Sequence, residues 1–183
     1  NDMAEDIGLI NTKFSNSTGM FDKNNYSTAH DLAIMSQYLI NNYPEHYHLF
    51  SETDFEWSGI AQKNRNPLLY KSMGVDGLKT GHLSASGYGL AASAIEGERR
   101  LISVTNGFSS AQKRSRGSAR LLTWGFREFD NIKLAESGDD VGFVEVSSAK
   151  GGDVALISKN DIKITVTKAH KDKIKTKIIL NQG

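Results

Sequence analysis

Val75-Asp76-Gly77-Leu78-Lys79-Thr80-Gly81-His82 is the stretch around which the chain is organised. It reads as a β-strand that carries a cation, a hydroxyl and a position without a side chain in succession. Alternate side chains of a strand share a face, so Lys79 and Gly81 point one way and Thr80 the other unless the strand twists or bulges. Gly81 removes a side chain where something must approach the backbone closely. At a sheet edge such a strand suits an extended ligand: Lys79 supplies positive charge, Thr80 a hydroxyl, and the backbone after Gly81 its N–H groups. The alternative is a surface strand with a solvated lysine.

The flanks extend the pattern. Gly87–Ala94 is small and half-alternating, a strand that lets neighbours approach closely, and Glu96-Gly97-Glu98 is a turn. Arg99–Thr105 is the returning strand, which makes three antiparallel strands headed by Lys-Thr-Gly-His. With the flanks VDGLKTGH, SGYGLAASA, GERRLISVTNG and LLTWGFREF, the chain resembles the low-molecular-mass penicillin-binding proteins, the D-alanyl-D-alanine carboxypeptidases, from Asn11 to Phe129. Lys-Thr-Gly is the third motif of penicillin-binding proteins and class A β-lactamases.

A length of 183 residues, 38% hydrophobic and 23% charged, fits one large domain or one domain with a small module. A net charge of +1 argues neither for nucleic acid nor for a membrane surface as main partner. Cysteine is absent, which fits any compartment. No apolar run is long enough to span a bilayer. The chain opens inside an expected helix over Met3–Ile7, so both ends are expected to be cut from a longer protein.

Along the chain, Asn11–Gly19 is an expected loop. A helix starts at Ser27–Asp31, with Thr28 and Asp31 in capping-box spacing, shows Leu32, Met35 and Leu39 on one face, and ends at Asn41-Asn42-Tyr43-Pro44. Phe55 and Trp57 alternate with Glu56 in a short strand; Lys63–Pro67 is a loop. Ser109 or Ser110 begins a long helix to about Phe129, with Lys113, Arg116, Arg120 and Arg127 outside and Leu121, Leu122 and Phe126 inside. A boundary near Asn131 separates 1–131 from 132–183. Val141–Val146, Val154–Ile157, Ile162–Thr167 and Ile174–Leu180 read as strands, with turns at Lys150-Gly151-Gly152 and Lys159-Asn160-Asp161. The lysine excess of this part reads as a solvated face.

The resembled family uses Ser-x-x-Lys, Ser-x-Asn and Lys-Thr-Gly, because a serine is a poor nucleophile until an amine takes its proton. Ser-x-x-Lys occurs at Ser110–Lys113 and Ser147–Lys150, and Ser-x-Asn at Ser158–Asn160. Composition alone yields ~1.6 matches to the first motif. All three follow Lys-Thr-Gly, whereas in the family both motifs precede it, so none is assigned. Either an N-terminal part, in a longer protein or in a separate chain, supplies the nucleophile, or the protein is non-catalytic.

The resemblance implies roles for the rest. Lys79 supplies charge beside the serine, and Thr80 binds the substrate's terminal carboxylate beside Gly81. His82 contributes its backbone N–H to an oxyanion hole. Arg114, at the family's downstream distance, binds the carboxylate. His30, His46, His48 and His170 lack metal-ligand spacing; no metal or organic cofactor is implied.

The expected fold is α+β: the C-terminal part of a penicillin-binding-protein/β-lactamase-like domain, an antiparallel sheet flanked by helices, followed by part of a small all-β module. The implied function is a serine-type carboxypeptidase acting on peptidoglycan stem peptides that end in D-Ala-D-Ala, and acylated by β-lactam antibiotics. The implied setting is extracytoplasmic and bacterial, with membrane association through a C-terminal anchor outside these residues. The alternatives are a β-lactamase or endopeptidase of the same fold, or a non-catalytic peptidoglycan-binding or scaffolding protein.

Overall fold

A computed structural model describes residues 1–145 and 152–179. The chain forms two compact units, the first Asn1–Gly125 and the second from Phe126 onward. Both α and β elements are present, in the order expected of the α+β class.

The first unit opens with a short helix, α1 (Asp2–Asp6), and a loop that runs to α2 (Ala29–Asn42). Thr28 caps α2: its backbone is extended and its Oγ1 accepts a hydrogen bond from the Asp31 N–H at 3.1 Å. Such caps contribute about 1 kcal/mol. The capping-box spacing delivers this half only. The Asp31 carboxylate turns instead to the loop, where Oδ2 accepts from Asn11 N at 2.8 Å and Thr12 Oγ1 at 2.7 Å. Those bonds, led by that from Thr12, hold Asp31 below its ordinary pKa against the opposing effect of burial. Pro44 then opens α3 (Pro44–Tyr47), where its fixed φ fits a first turn, and a single 3₁₀ turn follows at His48–Phe50.

Strand β1 (Asp54–Trp57) is where the alternation of Phe55 and Trp57 places it. Its partner β2 (Ile60–Lys63) corrects the expected loop, which begins only at Asn64. Ser58 and Gly59 both take positive φ, 51° and 76°, the geometry of a two-residue hairpin turn. That turn, not strand composition, pairs Ile60–Lys63 with β1.

The main sheet has the order β3 (Val75–Leu83), β4 (Gly87–Glu96), β5 (Arg99–Phe108), all antiparallel. Beside the start of β3 the chain comes so close that a Cβ on Gly77 would meet the Tyr47 hydroxyl at 2.6 Å. Helix α4 (Ala111–Glu128) is capped by Ser110, whose Oγ accepts from Lys113 N at 3.2 Å. Leu122 and Phe126 are buried as expected, whereas Leu121 is 38% exposed. Position 121 lies about 100° round the helix from 122, on the flank rather than on the inner stripe. The Thr105 Oγ1 and Ser118 Oγ atoms meet at 2.7 Å, so α4 covers the sheet face of Thr105, and α2 lies on the other.

The second unit holds two strand pairs, β6 (Phe129–Ala135) with β9 (Ile162–Thr167) and β7 (Asp140–Glu145) with β8 (Asp153–Ile157). Strand β6 was not expected from the sequence. Ile174–Ile179 is not a strand: Ile174 has extended backbone, but no ladder forms along the segment among the described residues. Alternation marks extended backbone; a strand also needs a partner. Val146, Lys150, Gly151 and Leu180, parts of expected strands and a turn, lie outside the described residues.

Candidate active site

Strand β3 is the edge of its sheet, so one side of Lys79-Thr80-Gly81-His82 is open to an added chain. The register places Thr80 opposite Leu90, which pairs with Thr105, and Lys79 opposite Ala91, which pairs with Val104. Thr80 and His82 therefore share the α4 face, and Lys79 and Gly81 the α2 face, as strand alternation requires. Thr80 is buried, at 9% exposure. Lys79 is exposed and folds onto its own strand, with Nζ donating to the Thr80 carbonyl at 2.6 Å.

On the α2 face lies a groove of about 320 Å³, lined by Leu32, Met35, Leu39, Lys79, Gly81 and Asn106 among others. Gly81 and Gly89 face each other across the register. A Cβ on Gly89 would stand 2.6 Å from Asn106 Oδ1, so the bare position lets the amide lie over the sheet. Sequence reasoning missed Asn106; nothing local distinguishes it from a turn asparagine.

Arg114 sits in the first turns of α4, only 8% exposed, and its Nε has no hydrogen-bond partner among the described residues. Burial lowers its pKa, with Tyr88 acting in the opposite sense. Its Cζ lies 5.8 Å from the centre of the Tyr88 ring. On β4, Tyr88 is stacked on His82, with centroids 3.9 Å apart and planes 29° apart. Tyr88 thus links Arg114 to the Lys-Thr-Gly-His strand. A buried cation with an unsatisfied donor is costly, which makes Arg114 a position prepared for an anion.

A polar cluster anchors the start of β3. Asp76 is paired with Arg100 (Nη1–Oδ2 2.7 Å), and its Oδ1 accepts from the Tyr47 hydroxyl at 3.0 Å. Arg100 Nη1 also donates to Ser93 Oγ at 2.5 Å, and its Cζ lies 5.2 Å from the Tyr47 ring centre. Burial pushes the Tyr47 hydroxyl up to about 12. Asn66, fully enclosed, donates from Nδ2 to the Gly77 carbonyl at 2.9 Å. None of these partners was singled out from sequence. Asp76, inside the quoted stretch, was the one visible signal.

Among the described residues, the Ser-x-x-Lys match Ser110–Lys113 does not assemble a nucleophile. Ser110 caps α4, and Lys113 Nζ reaches Ser109 Oγ at 2.9 Å on an exposed surface. Ser158 Oγ donates to the Asn160 carbonyl at 2.7 Å, while Ser147 and Lys150 lie outside the described residues. His48 Nδ1 meets the Glu45 carbonyl and His170 Nδ1 meets Thr167 Oγ1. No group of three or more metal-ligating side chains occurs among the described residues. No helix among them is long and apolar enough to cross a membrane.

Residues 1–110 match the D-alanyl-D-alanine carboxypeptidase family model, and residues 129–183 match the penicillin-binding protein 5 C-terminal domain. The chain is 38% identical to D-alanyl-D-alanine carboxypeptidase DacD of Salmonella typhimurium, over 100% of this chain and 47% of that protein. It is similar to the crystal structure of penicillin-binding protein 5 from Haemophilus influenzae, with a TM-score of 0.88 and 40% identity over 96% of this chain and 52% of that one. It is also similar to penicillin-binding protein D2 from Listeria monocytogenes in its cefotaxime-bound form, with a TM-score of 0.64 and 31% identity over 69% of this chain and 53% of that one. The chain spans about half the length of the curated relatives it matches.

Proposed function

The chain belongs to the family of D-alanyl-D-alanine carboxypeptidases, and we propose that its first unit is the part of a serine acyl-transfer site that reads the substrate's carboxylate end. The complete protein, in this reading, removes the terminal D-Ala from peptidoglycan stem peptides. A serine outside these residues attacks the carbonyl carbon between the two D-Ala residues. The C–N bond breaks, the terminal D-Ala leaves with a proton on its nitrogen, and water then hydrolyses the acyl-enzyme. Lys79 lends positive charge to the proton transfer. Gly81 leaves room for a substrate backbone along the open edge. Thr80 donates its hydroxyl hydrogen to the terminal carboxylate, and Arg114 meets the same group with a bidentate fork.

The His82 N–H is one donor to the developing oxyanion. Strand alternation supports this: the Thr80 carbonyl accepts the Lys79 ammonium, and the N–H two residues on points to the same edge. β-Lactams carry a carboxylate beside a reactive amide and acylate the same serine; the cefotaxime-bound Listeria relative supports this. The work site is the extracytoplasmic side of a bacterial envelope. The 132–183 module takes no part in the chemistry; a carboxypeptidase match that ends at residue 110 and a separate C-terminal-domain match that begins at residue 129 support a division between the two parts.

The observation that carries the reading is the buried, unsatisfied Arg114 joined through Tyr88 to the Lys-Thr-Gly-His edge. A charge-assisted hydrogen bond contributes about 1.5–3 kcal/mol. In the complete protein, Arg114→Ala therefore lowers kcat/KM for a peptide ending in D-Ala-D-Ala by about ten- to a hundred-fold, at tenfold per 1.36 kcal/mol. A C-terminally amidated analogue is affected far less, and Arg114→Lys recovers only part. Equal slowing of acid and amide would remove the carboxylate role.

A further inference from the structure

We propose that Tyr88 is the positioning residue of the carboxylate site: its ring, held against His82, fixes the Arg114 guanidinium in the direction from which it meets an anion. The inference rests on the role proposed for Arg114 and adds the residue that makes that role workable. A buried guanidinium is ordinarily held by an acidic partner, but an acid would occupy the donors that a ligand carboxylate needs. An aromatic face attracts the cation without accepting its in-plane N–H groups, so the fork stays free. Arg114 is in that situation: 8% exposed, with no ion pair among the described residues, an unpartnered Nε, and Cζ 5.8 Å from the Tyr88 ring centre.

The ring is itself constrained. Tyr88 is the register partner of His82 and stacks on it at 3.9 Å. His82–Tyr88–Arg114 thus runs from the edge strand through β4 to α4, and couples the guanidinium to the backbone segment that follows Gly81. The ring, not the phenolic hydroxyl, is the working part, so Phe substitutes for Tyr and an aliphatic residue does not.

Arginine Nε–H signals of the ¹⁵N-labelled chain, residues 1–183, test this, with Arg114 assigned through Arg114→Lys. Its Nε–H is expected to exchange slowly with solvent and to carry a ring-current shift, both retained in Tyr88→Phe and lost in Tyr88→Leu. Titration with acetyl-D-Ala-D-Ala should show affinity within about twofold of the parent in Tyr88→Phe and about three- to thirty-fold weaker in Tyr88→Leu, the range a partly desolvated cation–π contact supports. An unchanged Arg114 signal in Tyr88→Leu overturns the proposal, as does a loss in Tyr88→Phe equal to that in Tyr88→Leu. Should Tyr88→Leu not fold, the parent decides: an Arg114 Nε–H that exchanges as fast as those of exposed arginines overturns it. If the signal depends on the ring but acid and amide ligands bind alike, the Tyr88–Arg114 clamp stands and the carboxylate reading falls.

Discussion

Arg100 on β5 reaches across the width of the sheet to Asp76 on β3, with Nη1 2.7 Å from Oδ2. The strand between them contributes Ser93, whose hydroxyl accepts from the same Nη1. Three strands are therefore tied through one guanidinium, three residues before Lys79. Both partners are about three-quarters buried, so solvent screens the pair less than a surface bridge.

Loss of that tie should destabilise the first unit. Arg100→Ala leaves the Asp76 carboxylate with the Tyr47 hydroxyl as its remaining side-chain donor, at a cost of about 1–3 kcal/mol. Urea unfolding should show a lower midpoint at unchanged slope. An Arg100→Ala/Asp76→Asn double mutant should be less destabilised than the sum of the single changes. Strict additivity would mean the pair is not coupled.

Asp31 makes stability fall in acid. Its folded pKa lies below the ordinary carboxylate value, so its contribution is complete above ~3.9 and is lost as pH falls through the lower folded value. Asp31→Asn should therefore be less stable than the parent at neutral pH, and the gap should close below about pH 4. A gap independent of pH would assign the effect to packing.

Tyr47 acts at the alkaline end. Its folded pKa is raised to about 12, so the stabilisation is complete below the unfolded value of ~10 and disappears as pH climbs between the two. Tyr47→Phe keeps the ring beside Arg100 but removes the hydroxyl, and should cost ~1 kcal/mol at neutral pH. That difference should shrink above pH ~10. Spectrophotometric titration should show one late-ionising tyrosine missing from the variant; an unchanged curve would refute the assignment.

The isolated chain, residues 1–183, should not be labelled covalently by a fluorescent penicillin. Ser110 is committed to capping α4 and Lys113 reaches Ser109 instead. Robust labelling that disappears in Ser110→Ala would revive the rejected Ser-x-x-Lys match.

Local chemistry made much of the fold readable from sequence. Thr28 three residues before Asp31 marks the start of α2; Gly97 between Glu96 and Glu98 marks the turn between β4 and β5; the alternation of Phe55 and Trp57 with Glu56 marks β1, and the Lys-Thr-Gly motif marks β3. Each of these depends on residues within a few positions of one another. Lys79, Thr80, Gly81 and His82 were legible for the same reason, as a contiguous motif. The parts that failed were not written in the local alternation: β2 is set by the positive-φ turn at Ser58-Gly59, and Ile174–Ile179 finds no strand partner among the described residues. Above all, only tertiary structure put Tyr88 between His82 and Arg114 and joined Asp76 to Arg100. Both constellations arise from strand register and from the seating of α4, which are set by burial summed over the whole sheet. No short window of residues encodes where a buried guanidinium will find its aromatic face or its carboxylate.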